Sequence, residues 1–289
     1  MQAENMAGTL RTIIVAGAGT MGQGIAQLCA SLGIQTILYD VSQEGLNKAR
    51  QSITKSLDQG VSKGRMSKAE ADAIQSRMIC THRIEDAVGD MVIEAIIEQA
   101  APKKNLFRAL EQQNSPQFII ASNTSSIPME ILAEGLARPE RVVGLHFFNP
   151  ATIMKLVEVI SGPQTLASVA QEVEDLALRM NKIVVRAQDA PGFIVNRVAR
   201  PYYAESLRLL GGGGLEAIDI DRLLESIGFR MGPFKLMDLI GVDTNLSVTT
   251  SIYEGLGCPP RFEPNPIQQR LVHEGHHGRK SSRGFYTYK

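Results

Sequence analysis

Short apolar runs punctuate the first half of the chain: RTIIVA (11–16), QTILYD (35–40), DMVIEA (90–95), FIIASN (118–123) and RVVGLHF (141–147). Each is rich in β-branched residues, and helix-length amphipathic stretches separate them. Strands buried on both faces read this way, so the pattern predicts a mostly parallel sheet with helices on both sides. The fold class is α/β, a Rossmann-type doubly wound sheet. Between the second and third runs, a polar segment of about residues 42–80 carries two helical patterns that meet near Gly60–Met66. It predicts a helical hairpin inserted into the sheet domain.

Beyond Asp189 the pattern changes. DAPG (189–192) is a cluster of breakers, and the residues after it are helical in period until the alternation of GFYTY (284–288). The helix predicted from Phe193 contains Pro201, which removes one internal hydrogen bond and is expected to kink it. Gly211–Gly214 stops that helix, and IDIDRLLESIG and PFKLMDLIGV begin others. Two domains follow, residues 1–188 for the sheet with its inserted hairpin and residues 189–289 for a smaller all-α domain. A chain of 289 residues is long enough to bury both cores.

Composition narrows the function. The chain balances 30 Lys+Arg against 30 Asp+Glu, so no global positive field draws nucleic acid or an acidic membrane surface. No apolar run approaches the roughly 18 residues of a membrane span. Cys29, Cys80 and Cys258 are odd in number and far apart, which argues against a disulfide framework and against a metal site. Met1–Leu10 carries Glu4 and has no basic stretch leading into an apolar core, so no targeting signal is expected and the cytoplasm is the simplest location.

The first run leads directly into Gly17-Ala18-Gly19-Thr20-Met21-Gly22 and then into a helical pattern over 23–32. A lone GxGxxG is a weak signal. Here a strand precedes it, a helix follows it, and Asp40 ends the second run, the context of a dinucleotide fingerprint. Gly17 permits the tight turn, Gly19 lets pyrophosphate approach the backbone, and Gly22 lets the helix pack on the strand. The N–H groups at the helix start, from Thr20 and Met21 onward, favour an anion. A carboxylate at Asp40 accepts from both ribose hydroxyls and repels a 2′-phosphate, and no arginine follows in Val41-Ser42-Gln43. NAD is therefore expected over NADP.

His146 ends the run RVVGLHF, at the sheet edge where ligands gather in open α/β folds. Glu158, in KLVEVI, is flanked by apolar residues, so a return strand would present its carboxylate to the histidine. Alcohol oxidation needs a base, a hydride acceptor and groups that hold the reacting oxygen. Histidine suits the first role, and a carboxylate partner would fix its tautomer. Nicotinamide suits the second. Ser125, in SNTSS after the fourth run, and Asn196, in the first turn of the helix that opens the second domain, are candidates for the third.

These motifs resemble one family, the L-3-hydroxyacyl-CoA dehydrogenases, including 3-hydroxybutyryl-CoA dehydrogenases. The resemblance rests on GAGTMGQGIA, EAIIE, SNTSS, GLHFFNP, MKLVEV, PGFIVNR, MGPFKLMDLIG and GRKSSRGFY, spread over almost the whole chain. It implies His146 as general base, Glu158 as its orienting partner, and Ser125 and Asn196 on the substrate oxygen. It implies Glu98, Lys103, Asn149 and Lys280 near NAD, and Ser56 and Lys63, on the inserted hairpin, near the CoA moiety of an acyl-CoA substrate. A homodimer through the second domain is also implied, and the apolar PFKLMDLIGV suits such an interface.

Two departures stand out: Ser282 where the family has glycine, and Gly211–Gly214 where it has a charged loop. NRVARPYYAES, VDTNLSV and RFEPNPIQQRLV resemble the branch that acts on 3-hydroxyadipyl-CoA, with Arg197, Arg200 and Tyr202 as candidates for the terminal carboxylate. The short-chain substrate, 3-hydroxybutyryl-CoA, is the first expectation and this dicarboxylyl substrate the alternative. A non-catalytic, crystallin-like relative is disfavoured because all four catalytic candidates are present. A lysine-based hydroxyacid dehydrogenase is disfavoured because the polar pair is His146 with Glu158.

Overall fold

The structure is a computed structural model that describes residues 10–288. Apart from Leu10, the opening stretch where no targeting signal is expected lies outside the described residues. The chain divides into two compact units with the boundary between Ala190 and Pro191. Among the described residues no helix is long and apolar enough to cross a membrane.

The first unit is built on one sheet of β1 (Thr12–Ala16), β2 (Gln35–Tyr39), β3 (Met78–Thr81), β4 (Met91–Glu94), β5 (Ile119–Ser122), β6 (Val142–Phe147), β7 (Leu156–Ser161) and β8 (Ile183–Gln188). Their order is β3-β2-β1-β4-β5-β6-β7-β8. The pairs from β3 across to β6 are parallel, β7 runs antiparallel to β6, and β8 is parallel to β7. The sheet is thus the mostly parallel, doubly wound one that the apolar runs predict. Its strand order reverses between β1 and β4, and ligands of open α/β sheets bind beyond the carboxyl ends of strands at such a switch point.

The central strands read as unbroken apolar runs because every residue of β4, β5 and β6 is buried. Around them lie α1 (Thr20–Ser31), α2 (Gln43–Ser62), α3 (Lys68–Ser76), α4 (Ala100–Gln113), α5 (Met129–Ala133) and α6 (Ala167–Arg179). One contiguous core joins Ile13, Val15, Leu38 and Ile93 of the sheet to Ile25 of α1, Leu57 of α2 and Val173 of α6. The inserted hairpin is α2 and α3. Ser42 caps α2 by accepting from Gly45 N–H, and Ser67 with Glu70 forms a reciprocal capping box on α3. The insertion ends before residue 80, however, because Met78–Thr81 leaves the hairpin to pair with β2 as β3.

The second unit is helical: α7 (Val195–Gly211), α8 (Ala217–Ser226), α9 (Pro233–Ile240), α10 (Val242–Gly255) and α11 (Pro266–His273). Helix α7 begins two residues after Phe193, whose positive φ of 48° keeps it out of the helix, and continues through Pro201. Tyr203 and Leu207 of α7 pack with Ile220, Phe234 and Met237 as its core. The GFYTY segment forms no strand, only an isolated bridge at Thr287. Its main-chain donors go instead to Asp238, which accepts from Phe285 N–H and Tyr286 N–H at 2.9 Å each. Ser282 sits at φ 59°, a left-handed conformation that glycine adopts without strain.

Candidate active site

The glycine loop leaves β1 at the switch point. Gly17 has φ +108°, and a Cβ there would lie 2.5 Å from Ala95 O, so the turn admits no side chain. A Cβ on Gly22 would fall 1.7 Å from Gly17 O, which is how closely the helix approaches the turn. Gly19 is different, since a Cβ there would meet nothing within 4 Å. Backbone is therefore bare on the side from which a ligand would approach. Gly19 also opens α1 without any side-chain cap, leaving the first N–H groups and the positive end of the helix dipole for an anion. Asp40 closes the loop: one carboxylate oxygen accepts from Ala18 N–H at 2.7 Å and the other from Ser42 N–H at 2.9 Å. These features fit a dinucleotide, with pyrophosphate on the bare turn and a ribose beside Asp40.

Three and four strands from β1 along the sheet, β6 and β7 pair so that His146 faces Glu158 directly. The His146 Nδ1 to Glu158 Oε2 distance is 2.8 Å, with side-chain exposures of 8% and 0%. The ring leans on Phe148, centroid to centroid 4.6 Å. An imidazole bonded to a buried carboxylate through Nδ1 has its orientation and tautomer set, and proton exchange with a substrate falls to Nε2. Phe147 N–H donates to Asn123 Oδ1 at 2.8 Å, tying the end of this strand to the end of β5.

Ser125 lies on the turn that leaves β5, and Glu98 gathers that turn. One Glu98 oxygen accepts from Thr124 Oγ1 at 2.6 Å, Ser125 N–H at 2.8 Å, Ser125 Oγ at 3.3 Å and Ser126 Oγ at 3.2 Å. The other lies 3.2 Å from Lys103 Nζ, whose side chain is 1% exposed. That ammonium also meets the wholly buried Glu94 at 2.5 Å, and Glu94 accepts from Ser122 Oγ at 2.6 Å. Burial pushes the Glu94 carboxyl above the ordinary carboxylate range despite Lys103. Burial acts the same way on Glu98, but Lys103, Thr124 and Ser125 outweigh it and hold that carboxyl below its ordinary value. Sequence reading did not single out Glu94 or Thr124. The available signal was an acid closing an otherwise apolar strand.

The remaining expected residues occupy varied settings. Asn149 is exposed just after β6, in a cis peptide bond with Pro150. Ser56 on α2 and Lys63 at its C-terminal end are exposed. A groove beside α2 is lined by Arg50, Lys55, Asp58 and Gln59 rather than by that pair. In the second unit, Asn196 is half-buried in the first turn of α7, and its carbonyl accepts from Arg200 Nε at 3.1 Å. Lys280 pairs with Asp243 at 2.6 Å.

Of the residues considered for a terminal carboxylate, Arg200 is buried and donates to Asn245 O and Thr249 Oγ1 at 3.1 Å each. Tyr202 donates to Met231 O at 2.8 Å, and Arg197 is exposed. Among the described residues no group of three or more His, Cys, Asp or Glu side chains is placed to hold a metal ion.

Comparison with known proteins gives a consistent result. Residues 12–190 match the family model of the 3-hydroxyacyl-CoA dehydrogenase NAD binding domain, and residues 192–288 that of the 3-hydroxyacyl-CoA dehydrogenase C-terminal domain. The chain is 44% identical over 283 residues to the 3-hydroxyadipyl-CoA dehydrogenase of Escherichia coli, covering 97% of this chain but 59% of that protein. It is 39% identical over 282 residues to a probable 3-hydroxybutyryl-CoA dehydrogenase of Bacillus subtilis, covering 97% and 98% of the two chains. Among solved structures, the (S)-3-hydroxybutyryl-CoA dehydrogenase PaaH1 of Ralstonia eutropha superposes with a TM-score of 0.93 at 35% identity, covering 97% of this chain and all of that one.

Proposed function

This chain belongs to the 3-hydroxyacyl-CoA dehydrogenase family, with NAD as its cofactor, and from that premise we propose that it oxidises (S)-3-hydroxybutyryl-CoA reversibly to the 3-oxoacyl-CoA. The observation that carries the reading is the buried His146–Glu158 pair at 2.8 Å in a chain whose two units both match the family. His146 takes the substrate hydroxyl proton at Nε2. Glu158 fixes the ring and stabilises the imidazolium that forms. Ser125 and Asn196 donate to the reacting oxygen, and in the reverse direction the imidazolium returns its proton. Bound NAD supplies the acceptor for the hydride from C3. The bare backbone at Gly19 and the uncapped start of α1 hold its pyrophosphate, and Asp40 holds the adenosine ribose and disfavours NADP. Ser56 and Lys63 serve the CoA moiety.

A second reading, 3-hydroxyadipyl-CoA as the substrate, has its own support in the 44% identity to the E. coli protein of that name. Arg197, exposed on α7, is then the cation for the terminal carboxylate, since Arg200 is buried and its Nε and Nη1 are engaged by main-chain and hydroxyl oxygens. NADH formation from each thioester with the purified protein separates the two. Faster turnover of the four-carbon substrate supports the first reading, preference for the dicarboxylyl one replaces it, and no turnover of either refutes both. We also propose a homodimer, on the support of the exposed Leu223, Ile227, Phe229 and Leu239 in the second unit, and the cytoplasm as its location, on the balanced charge and scattered cysteines of the chain.

A further inference from the structure

Glu94 and Lys103 form a buried ion pair at the root of the network around Ser125. Their side chains are 0% and 1% exposed, and they are joined at 2.5 Å. Stability does not explain such a pair, because apolar residues of similar volume usually serve a core as well or better. The rest of the network suggests another purpose. Glu98 offers one oxygen to Lys103 and the other to the Thr124–Ser126 turn, so the ammonium decides which way that carboxylate points. We propose that the Glu94–Lys103 pair is a positioning device for Ser125: it aims Glu98, and Glu98 sets the turn so that the Ser125 hydroxyl meets the substrate oxygen. This rests on the reading of Ser125 as a donor to that oxygen.

The bond lengths suit the task. Glu98 holds the Ser125 main chain at 2.8 Å and the Thr124 hydroxyl at 2.6 Å, but the Ser125 hydroxyl only at 3.3 Å. The turn is therefore fixed while the hydroxyl is loosely held and able to swing to a substrate. An ionised Glu98 has no proton of its own to donate, so the three hydroxyls of the turn and the Ser125 N–H all donate to it. Glu94 takes no part in that contact. It supplies the second negative charge that keeps the ammonium at the base of the network, with Ser122 Oγ and Ile96 N–H as its other partners.

The test uses the double variant Glu94→Gln with Lys103→Met, which removes both charges and leaves neither buried alone. It is read in steady-state NADH formation, NADH binding and thermal unfolding. We expect kcat at saturating NAD to fall roughly tenfold, the scale of a modest misplacement of a reacting group. In a Ser125→Ala background the double variant should cost nothing further. Thr124→Val, which cuts the shortest strut of the same turn without touching a charge, should show the same coupling and covers the case in which the double variant does not fold. An independent, multiplicative loss in the Ser125→Ala background overturns the proposal, and so does weakened NADH binding with kcat intact or full activity of the double variant. A fully active Ser125→Ala enzyme instead removes the underlying reading of Ser125, and the positioning role with it.

Discussion

Glu158→Gln removes one negative charge from a fixed place and changes little else. The carboxylate is wholly buried, its Oε2 is 2.8 Å from His146 Nδ1, and the imidazole is 8% exposed. Proton uptake by the ring creates a cation beside that oxygen, so the charge of Glu158 counts in the transition state far more than before it. Two unit charges about 4 Å apart at an effective dielectric constant of about 20 attract by about 4 kcal/mol. Each ~1.4 kcal/mol is tenfold in rate, so losing that attraction corresponds to a drop in kcat of up to about a thousandfold. Glutamine keeps a carbonyl oxygen to accept from Nδ1–H, which retains orientation and brings the expected loss to between roughly a hundredfold and a thousandfold. Because the overall equilibrium is unchanged, the reverse reduction should lose the same factor in kcat/KM. The assay is steady-state NADH formation, with NADH binding and thermal unfolding measured on the same preparation to show that cofactor site and fold are intact. A Glu158→Gln enzyme within twofold of the parent, equally stable, would refute the reasoning.

Gly19→Ala should leave the unliganded protein as stable as the parent, because the added methyl meets no protein atom within 4 Å, yet weaken NADH binding by tenfold or more by occupying the bare backbone; unaltered affinity in fluorescence titration would contradict this. Thr124→Val removes a hydrogen bond to an ionised carboxylate together with the acceptor of the Ile127 and Ser126 N–H groups, and should cost at least about 1.5–3 kcal/mol near neutral pH. The Glu98 carboxyl lies below its ordinary value in the folded state, so its contribution is present above that ordinary value and is lost as pH falls through the folded one. Thr124→Val should therefore lose less stability than the parent between about pH 7 and about pH 3, and an undiminished acid loss would count against the contact. Leu223→Asp with Ile227→Asp places charge on side chains that are 63% and 66% exposed, and should sediment as a monomer if this face joins two copies; an unchanged dimer would assign the interface elsewhere.

What the sequence revealed followed burial. β1, β2, β4, β5 and β6 were legible because covered strands are apolar on both faces, and Gly17, Gly19 and Gly22 because their spacing belongs to one turn geometry. The edges were not. β3 has half-exposed Met78 and exposed Ile79, and β8 mixes Ile183 and Arg186 with buried Ala187, so neither reads as a run, and β3 was absorbed into the predicted hairpin. GFYTY alternates like a strand but is held by a buried aspartate from a different helix, a contact that local pattern does not encode. The network around Ser125 was hidden for the same reason. Lys103 and Glu98 look like solvated charges in sequence, and only the approach of α4 to the end of β4 buries the ammonium between two carboxylates.

The central claim is that His146 is the base, and His146→Ala tests it most directly. The measurement is a single-turnover run with saturating NAD and (S)-3-hydroxybutyryl-CoA, following NADH appearance, beside an equilibrium titration with NADH. The account predicts that NADH binds as tightly as to the parent while its formation slows by roughly a hundredfold or more, the usual contribution of a positioned general base. Formation at the parental rate with binding unchanged would contradict it.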